Sequence, residues 1–481
     1  MAALAPVAAL RAAMVAAAVA VLVLLVFIPP STNDFWLHAA IGRMIWADGE
    51  IPRTALFPFT EAAAFPFHAH EWLASVAIYW LDRVLGEPLL IFANGLLGLA
   101  LFALLWRLSF RLSGGFAVSL LVALAAMATA NYRHYLRPEL FALIFAAALL
   151  SMLVEYRASG KRRWLVACVP LALVWANSHG SFPVGPVFAA AFAAGAAFEA
   201  RSPRAAVPYL ACGALMTLAM LANPYGAQLF RFAWDLQGAE FLRTYIYEWT
   251  PTLSGPFVGS RGFWAFVAFA LLASAVLAHG WRNVPPAGAL LLVAFAGLAL
   301  QTQRHIALFA VVSVFPLSAA LAPTAARLDR SARALGIAAA LLACGAALLV
   351  RYGNLYGGYP YAVVSNHFSP GLVDYVRERK LEGNVLNSYA LGAEIVYRFY
   401  PSLRPSIDSR IDVYGREYFE RMLKVQNDEQ AFRQFVARYG VRYALLLWPE
   451  FELGLRRMPD LQAEGWRIVF ADHKMVLLER R

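Results

Sequence analysis

Asp34 and His38 stand four residues apart, one helical turn, so a carboxylate and an imidazole can share one face of a helix. That pair has the chemistry of a general base with a supporting imidazole. The competing reading is that Asp34, after Ser31-Thr32-Asn33, only caps the helix with its side-chain oxygen. His68, His70 and Glu71 precede Trp72-Leu73. Two histidines at i and i+2 beside a glutamate could begin a metal site, but this is not HExxH and no further ligand follows at a dependable spacing. His70 and Glu71 are therefore read as a polar wall against substrate or as a cap, and no metal ligand is assigned.

Arg133, His134 and Arg137 form a third group, with the two arginines on one helical face just outside an apolar run. Paired guanidiniums suit a phosphate, which they bind bidentately, and equally suit lipid headgroups reached by snorkelling. Asn177-Ser178-His179-Gly180 and Asn223-Pro224-Tyr225-Gly226 mark two short turns; His179 and Asn223 are the candidate ligands, although Asn-Pro-Tyr-Gly is more often a helix stop. Arg304-His305, flanked by Gln301 and Gln303, again favours an anionic group.

The elements that must position these groups lie in a membrane. The 481 residues are 61% hydrophobic and only 15% charged, with a mean hydropathy of +0.57, which excludes an ordinary soluble globular protein. Residues 352–481 hold 18 Lys and Arg against 16 Asp and Glu; the first 351 hold 23 against 14. The expected domains are a charge-poor membrane part, 1–351, and a soluble tail, 352–481. The net charge of +11 is a topology signal and gives no reason to invoke nucleic acid, because the membrane part's basic residues sit in short loops between apolar spans. Cys168, Cys212 and Cys344 show no CxxC or paired spacing and give no disulfide framework.

Eleven apolar runs approach the length needed to cross ~30 Å of hydrocarbon. They are 7–28, 86–106, 115–131, 138–156, 164–178, 182–199, 205–222, 259–279, 284–302, 305–322 and 334–350. A cytoplasmic N-terminus keeps the basic clusters around Arg107, Arg157–Arg163, Arg201, Arg282 and Arg327–Arg333 inside and places the tail outside. The five chemical groups then share the outer side, which predicts one convergent outward cavity. The outer loop 29–85 should hold an amphipathic helix at the membrane interface, built on Phe35, Trp36, Ile41, Met44, Ile45 and Trp46. A stiff non-helical crossing with Pro52, Pro58 and Pro66 follows, then a second helix from Glu71 to Leu85. In the tail, 384–387, 442–447, 466–470 and 475–478 read as strands, 391–399 and 430–439 as helices, and 471–474 as a hairpin turn. The fold class is an all-α polytopic membrane domain with a small α/β or α+β extracytoplasmic domain.

A first span, an Asp heading a long outer loop, some ten further spans and an outer soluble domain together resemble the GT-C superfamily of membrane glycosyltransferases. Locally, Asn33-Asp34-Phe35-Trp36-Leu37-His38, Ile51-Pro52-Arg53-Thr54, His70-Glu71-Trp72-Leu73 and Ser406-Ile407-Asp408-Ser409-Arg410-Ile411-Asp412-Val413-Tyr414 resemble a largely uncharacterised bacterial group within it. The chain departs from that group's pattern at Ala55 and Pro58, where the group carries Asp and Ser. The resemblance implies a polyprenyl-phosphate-linked sugar donor, a glycan, lipid or protein acceptor, an Asp base in the first outer loop, and a bacterial inner membrane. The expected reaction is an inverting transfer with no metal and no cofactor. A transporter or flippase for a lipid-linked anion, or a non-catalytic assembly factor, are the rival readings.

Overall fold

In a computed structural model, residues 4–29, 32–352, 368–448 and 465–481 are described. Pro30, Ser31 and the expected membrane–tail junction at 353–367 lie outside these. A helix occupies each of the eleven predicted positions. Seven are long and apolar enough to cross a membrane, the first being Val7–Val26 and the last Ala332–Arg351. Arg163–Ala176, Val184–Ala200 and Pro286–Gln301 are apolar but shorter, as is Val207–Met220. This is the helix inventory of a multi-pass membrane protein.

The chain divides into two compact units, and the division differs from the compositional one. The first unit is Met1–Pro29 with Leu85–Val363; the second is Pro30–Val84 with Val364–Arg481. The outer loop expected with the membrane part therefore belongs to the same body as the tail.

In the first unit the helix Ile306–Arg330 is buried along its first fifteen residues and packs on Leu90–Ser113, Phe116–Ala130, Arg261–Gly280 and Pro286–Gln301. Ser318 meets Ser109 at 2.6 Å inside this core, so two hydroxyls satisfy one another without water. At the end of the same helix, Asp329 accepts the backbone N–H groups of Phe116 and Ala117, both at 2.7 Å, and so caps the start of the neighbouring helix Phe116–Ala130. Asn94 donates to the carbonyls of Val26, Ile28 and His134, binding the end of the first helix to the turn that carries Arg133. Leu96, Leu210, Leu271, Val293 and Leu341 stay exposed, as helices solvated by lipid require.

In the second unit a five-stranded mixed sheet has the order β2-β1-β3-β5-β4, where β1 is Gly383–Asn387, β2 Leu403–Pro405, β3 Tyr443–Leu447, β4 Trp466–Ala471 and β5 Met475–Arg480. β1 runs parallel to β2 and β3; β5 runs antiparallel to β3 and β4. The predicted strands and the 471–474 hairpin are present, and the helices expected at 391–399 and 430–439 are Tyr389–Phe399 and Glu429–Tyr439. Among the described residues of the tail, the three-residue β2 and the helices Pro370–Glu378 and Ile411–Asn427 carry no expectation from the sequence.

The loop helix Asn33–Asp48 is present, and much of its apolar face is covered by protein. Phe35, Trp36, Ile41 and Ile45 are buried in protein and the helix packs on Tyr389–Phe399; Trp46 alone of the tryptophans in this helix remains exposed. Helical periodicity reports that a face is covered, not what covers it. Arg43 secures the contact by donating to the carbonyls of Val396 and Tyr397. The proline-rich segment is not a straight crossing either. It doubles back, with Ala55 N bonded to Phe65 O at 3.0 Å and Phe67 N to Arg53 O at 2.9 Å.

Candidate functional site

The N-cap of the loop helix is Thr32, whose Oγ1 accepts the N–H of Phe35 at 3.4 Å. Asp34 is therefore the second residue of the helix, half-buried, and not its cap. A carboxylate there lies in the positive field of the helix N-terminus. Its charge reaches the phenol of Tyr389: burial, then Asp34, Asp412 and Asp408, hold that phenol well above its ordinary range, and its hydroxyl donates to Ser409 O at 2.5 Å.

His38, expected to support Asp34, has its Nδ1 2.8 Å from Ser75 Oγ, and its Nε2 lies 3.3 Å from Glu71 Oε2. Ser75 donates its own proton to Glu71 O at 2.9 Å, so it accepts from His38. Gly42 makes this reach possible, because a Cβ there would stand 2.1 Å from Ser75 O and push the helices Asn33–Asp48 and Trp72–Leu85 apart. Glu71 Oε1 also faces His70 Nε2 at 3.7 Å, while His70 Nδ1 lies 3.0 Å from His68 O. Glu71 thus bridges two imidazoles. His68 is pushed below its usual value by burial and by His70 and Arg53, with Asp412 opposing. Among the described residues no group of three or more His, Cys, Asp or Glu is arranged to hold a metal ion.

The tail stretch 406–414 supplies groups that spacing alone did not single out. Arg410 forks onto Asp408, Nε to Oδ1 at 2.9 Å and Nη2 to Oδ2 at 2.6 Å, and also donates to Ala55 O at 2.7 Å. Its plane lies over Phe57 and Phe67. This buried pair clamps the loop to the tail through a backbone carbonyl, so Ala in place of the group's Asp at 55 leaves the clamp intact. Asp412 remains accessible to solvent. The surrounding protein raises its pKa above the usual carboxylate value, against His70 and Arg410. The sequence signal was Asp-x-Arg-x-Asp, two acids flanking an arginine, which can mean a clamp or a site.

The first unit holds the second cluster. Arg133 and Arg137, only 3% and 5% exposed, both pair with Glu139 and with Glu248; the Arg137 contacts are 3.2 and 3.1 Å. Neither glutamate was anticipated, since Glu248 lies 111 residues from Arg137. Glu248 sits outside the spans, and although burial would raise its carboxyl, Arg133 and Arg137 hold it well below the carboxylate range, with Arg304 contributing. Arg304 stacks over Trp249 with its guanidinium 3.9 Å from the ring centroid. His179 accepts Ser181 N–H on Nδ1 at 3.1 Å, which leaves the proton of the neutral ring on Nε2. His305 Nδ1 lies 2.7 Å from Thr302 Oγ1, and its ring feels Arg304, Glu139 and Arg133.

Two candidates are used elsewhere. His134 is buried with its Nε2 so near Gly98 that a Cβ there would approach it to 2.2 Å; the ring is a packing element of the helix Leu90–Ser113. Asn223 staples its own turn, donating to Met220 O and Gly226 O and accepting from Tyr225 N, which is the helix-stop reading. The structure thus gathers Arg133, Arg137, His179, Arg304 and His305 in one unit, and Asp34, His38, His70 and Glu71 in the other.

No protein-family model and no curated protein matches the chain. Solved structures do. The oligosaccharyltransferase AglB of Archaeoglobus fulgidus, in complex with an inhibitory peptide and a dolichol-phosphate, superposes with a TM-score of 0.58 at 11% identity, covering 95% of this chain and 72% of that one. ArnT of Cupriavidus metallidurans, bound to undecaprenyl phosphate, superposes with a TM-score of 0.54 at 17% identity over 97% of both chains. The fold is that of the GT-C membrane glycosyltransferases. A GT-C fold explains why a long first loop and a C-terminal domain accompany the bundle, and by itself it assigns no reaction.

Proposed function

We propose that this GT-C protein is a glycosyltransferase that moves a sugar from a polyprenyl-phosphate carrier to an acceptor at the outer leaflet of a bacterial inner membrane, with its N-terminus cytoplasmic. Asp34 takes the proton of the acceptor hydroxyl. The freed oxygen bonds to the sugar's anomeric carbon as the bond from that carbon to the phosphate oxygen breaks, and the phosphate leaves with the electron pair. With a single base and no covalent intermediate, the transfer inverts. Arg133, Arg137 and Arg304 stabilise the charge that grows on the leaving phosphate. The binding of undecaprenyl phosphate by ArnT and of dolichol-phosphate by AglB supports this donor class.

The observation that carries the reading is that Thr32 caps the loop helix, so the half-buried Asp34 beside it is not occupied as the cap. Asp34→Asn preserves size, and the lost interaction with the helix dipole costs about 0.3–1 kcal/mol. Transfer of sugar from a polyprenyl-phosphate donor should nevertheless fall ~100-fold or more. Full transfer by that variant would remove Asp34 as base and leave a binder of lipid-linked anions.

A further inference from the structure

Arg133 and Arg137 face two carboxylates that differ in how they are held. Glu139 is the second residue of the helix Pro138–Ser159, its side chain 11% exposed and fixed by the helix. Glu248 comes from the three-residue turn Tyr247–Trp249, and 38% of its side chain is exposed. We infer that Glu248 is a removable stand-in for phosphate: its carboxylate fills an anion seat on the Arg133–Arg137 pair and is displaced when a phosphate group enters. The inference rests on the reading of these arginines as the phosphate site.

Carboxylate and phosphate both accept the guanidinium fork, so one can replace the other without new donors. Charge favours exchange over simple release. Two arginines against two glutamates sum to zero, and losing Glu248 with nothing in its place would strand a buried positive charge. Entry of an anion as the carboxylate leaves avoids that cost. The turn need not move. Gln303 holds it, with its N–H on Thr250 O at 3.2 Å and its side-chain amide on Thr250 Oγ1 at 2.9 Å and on Tyr247 O, while Trp249 lies under Arg304. Rotation of the Glu248 side chain alone opens the seat. An independent sign of spare capacity is Arg133 Nε, a buried N–H with no acceptor among the described residues. A phosphate brings more acceptor oxygens than the carboxylate it replaces.

The test uses the full chain in detergent, with inorganic phosphate and a short-chain polyprenyl phosphate as probes, read by calorimetry and by thermal shift. Glu248→Gln removes the competing charge and keeps the side chain's size, and should bind at least one probe about tenfold tighter or more than the wild type. Tightening for the lipid alone assigns the seat to a carrier headgroup; tightening for both assigns it to phosphate in general. Equal or weaker binding by Glu248→Gln, where the wild type binds and Arg137→Gln does not, overturns the inference and leaves the phosphate site standing. If neither the wild type nor Glu248→Gln binds either probe, or Arg137→Gln binds as well as a wild type that binds, the phosphate reading fails and this inference with it. Should Glu248→Gln not fold, Glu248→Asp shortens the competitor by one methylene and must still tighten binding; failure to do so is equally fatal.

Discussion

Two buried charge clusters, one in each compact unit, are built from the same residue types and closed to different degrees. Asp408 and Arg410 are 0% and 6% exposed, and the guanidinium is fully engaged by one carboxylate, one backbone carbonyl and two aromatic faces. Arg133 and Arg137 are buried as deeply, yet one of their carboxylates, Glu248, is 38% exposed. A buried ion pair with no accessible member can only hold structure, because every route to its charges costs desolvation. A cluster with one accessible anion can trade that anion for another. The difference teaches that burial of an arginine says little about function until its partners' exposure is known.

The largest expected effect breaks the closed cluster. Arg410→Leu leaves Asp408 buried and unpaired and releases Ala55, at a cost of about 3–5 kcal/mol in thermal or denaturant unfolding, and added phosphate should restore none of it. A loss under about 1 kcal/mol would show that Asp408 and Arg410 are not closed at all. A smaller effect separates capping from chemistry beside Asp34. Thr32→Ala should cost about 1 kcal/mol of stability through the lost cap, with sugar transfer per folded molecule unchanged. Transfer falling as far as it does in Asp34→Asn would mean that the helix start, and not the carboxylate, governs activity. The smallest effect is a pH slope. Burial, together with His70 and Arg53, lowers the folded pKa of His68 below the 6.5 of the unfolded chain. The unfolded state therefore binds more protons as pH falls below about 6.5, so the stability present above that value is lost on acidification. His68→Gln should flatten this slope; an unaltered slope would place the titration on another group.

Much of the architecture was legible because its signals are local. A run of about 20 apolar residues has few alternatives to a spanning helix, and all eleven runs are helices. The tail strands were visible as short β-branched and aromatic runs around the 471–474 turn, whereas β2, Leu-Arg-Pro, is too short to carry a period. The site was legible only in part. Asp34, His38, His70 and Glu71 announced themselves as polar residues beside apolar runs, and their gathering in one unit follows from the crossing of the helices Asn33–Asp48 and Trp72–Leu85 at Gly42. Glu139 and Glu248 drew no attention, because an isolated acid near a helix start or in a loop resembles any solvated residue.

Composition and apolar run length by themselves determined a multi-pass membrane chain with a charge-richer C-terminal stretch that carries the strands. These properties follow from the cost of transferring each residue between water and lipid, which depends on a residue and its near neighbours alone. Tertiary structure decided which body owns the loop 29–85, that Thr32 and not Asp34 caps its helix, and that the arginines are already answered by Glu139 and Glu248. The loop's placement and the Glu248 contact depend on groups that meet across a hundred residues or more, the cap and Glu139 on groups within six, and the Coulomb and hydrogen-bond energies that select all of them leave no periodic trace in the chain.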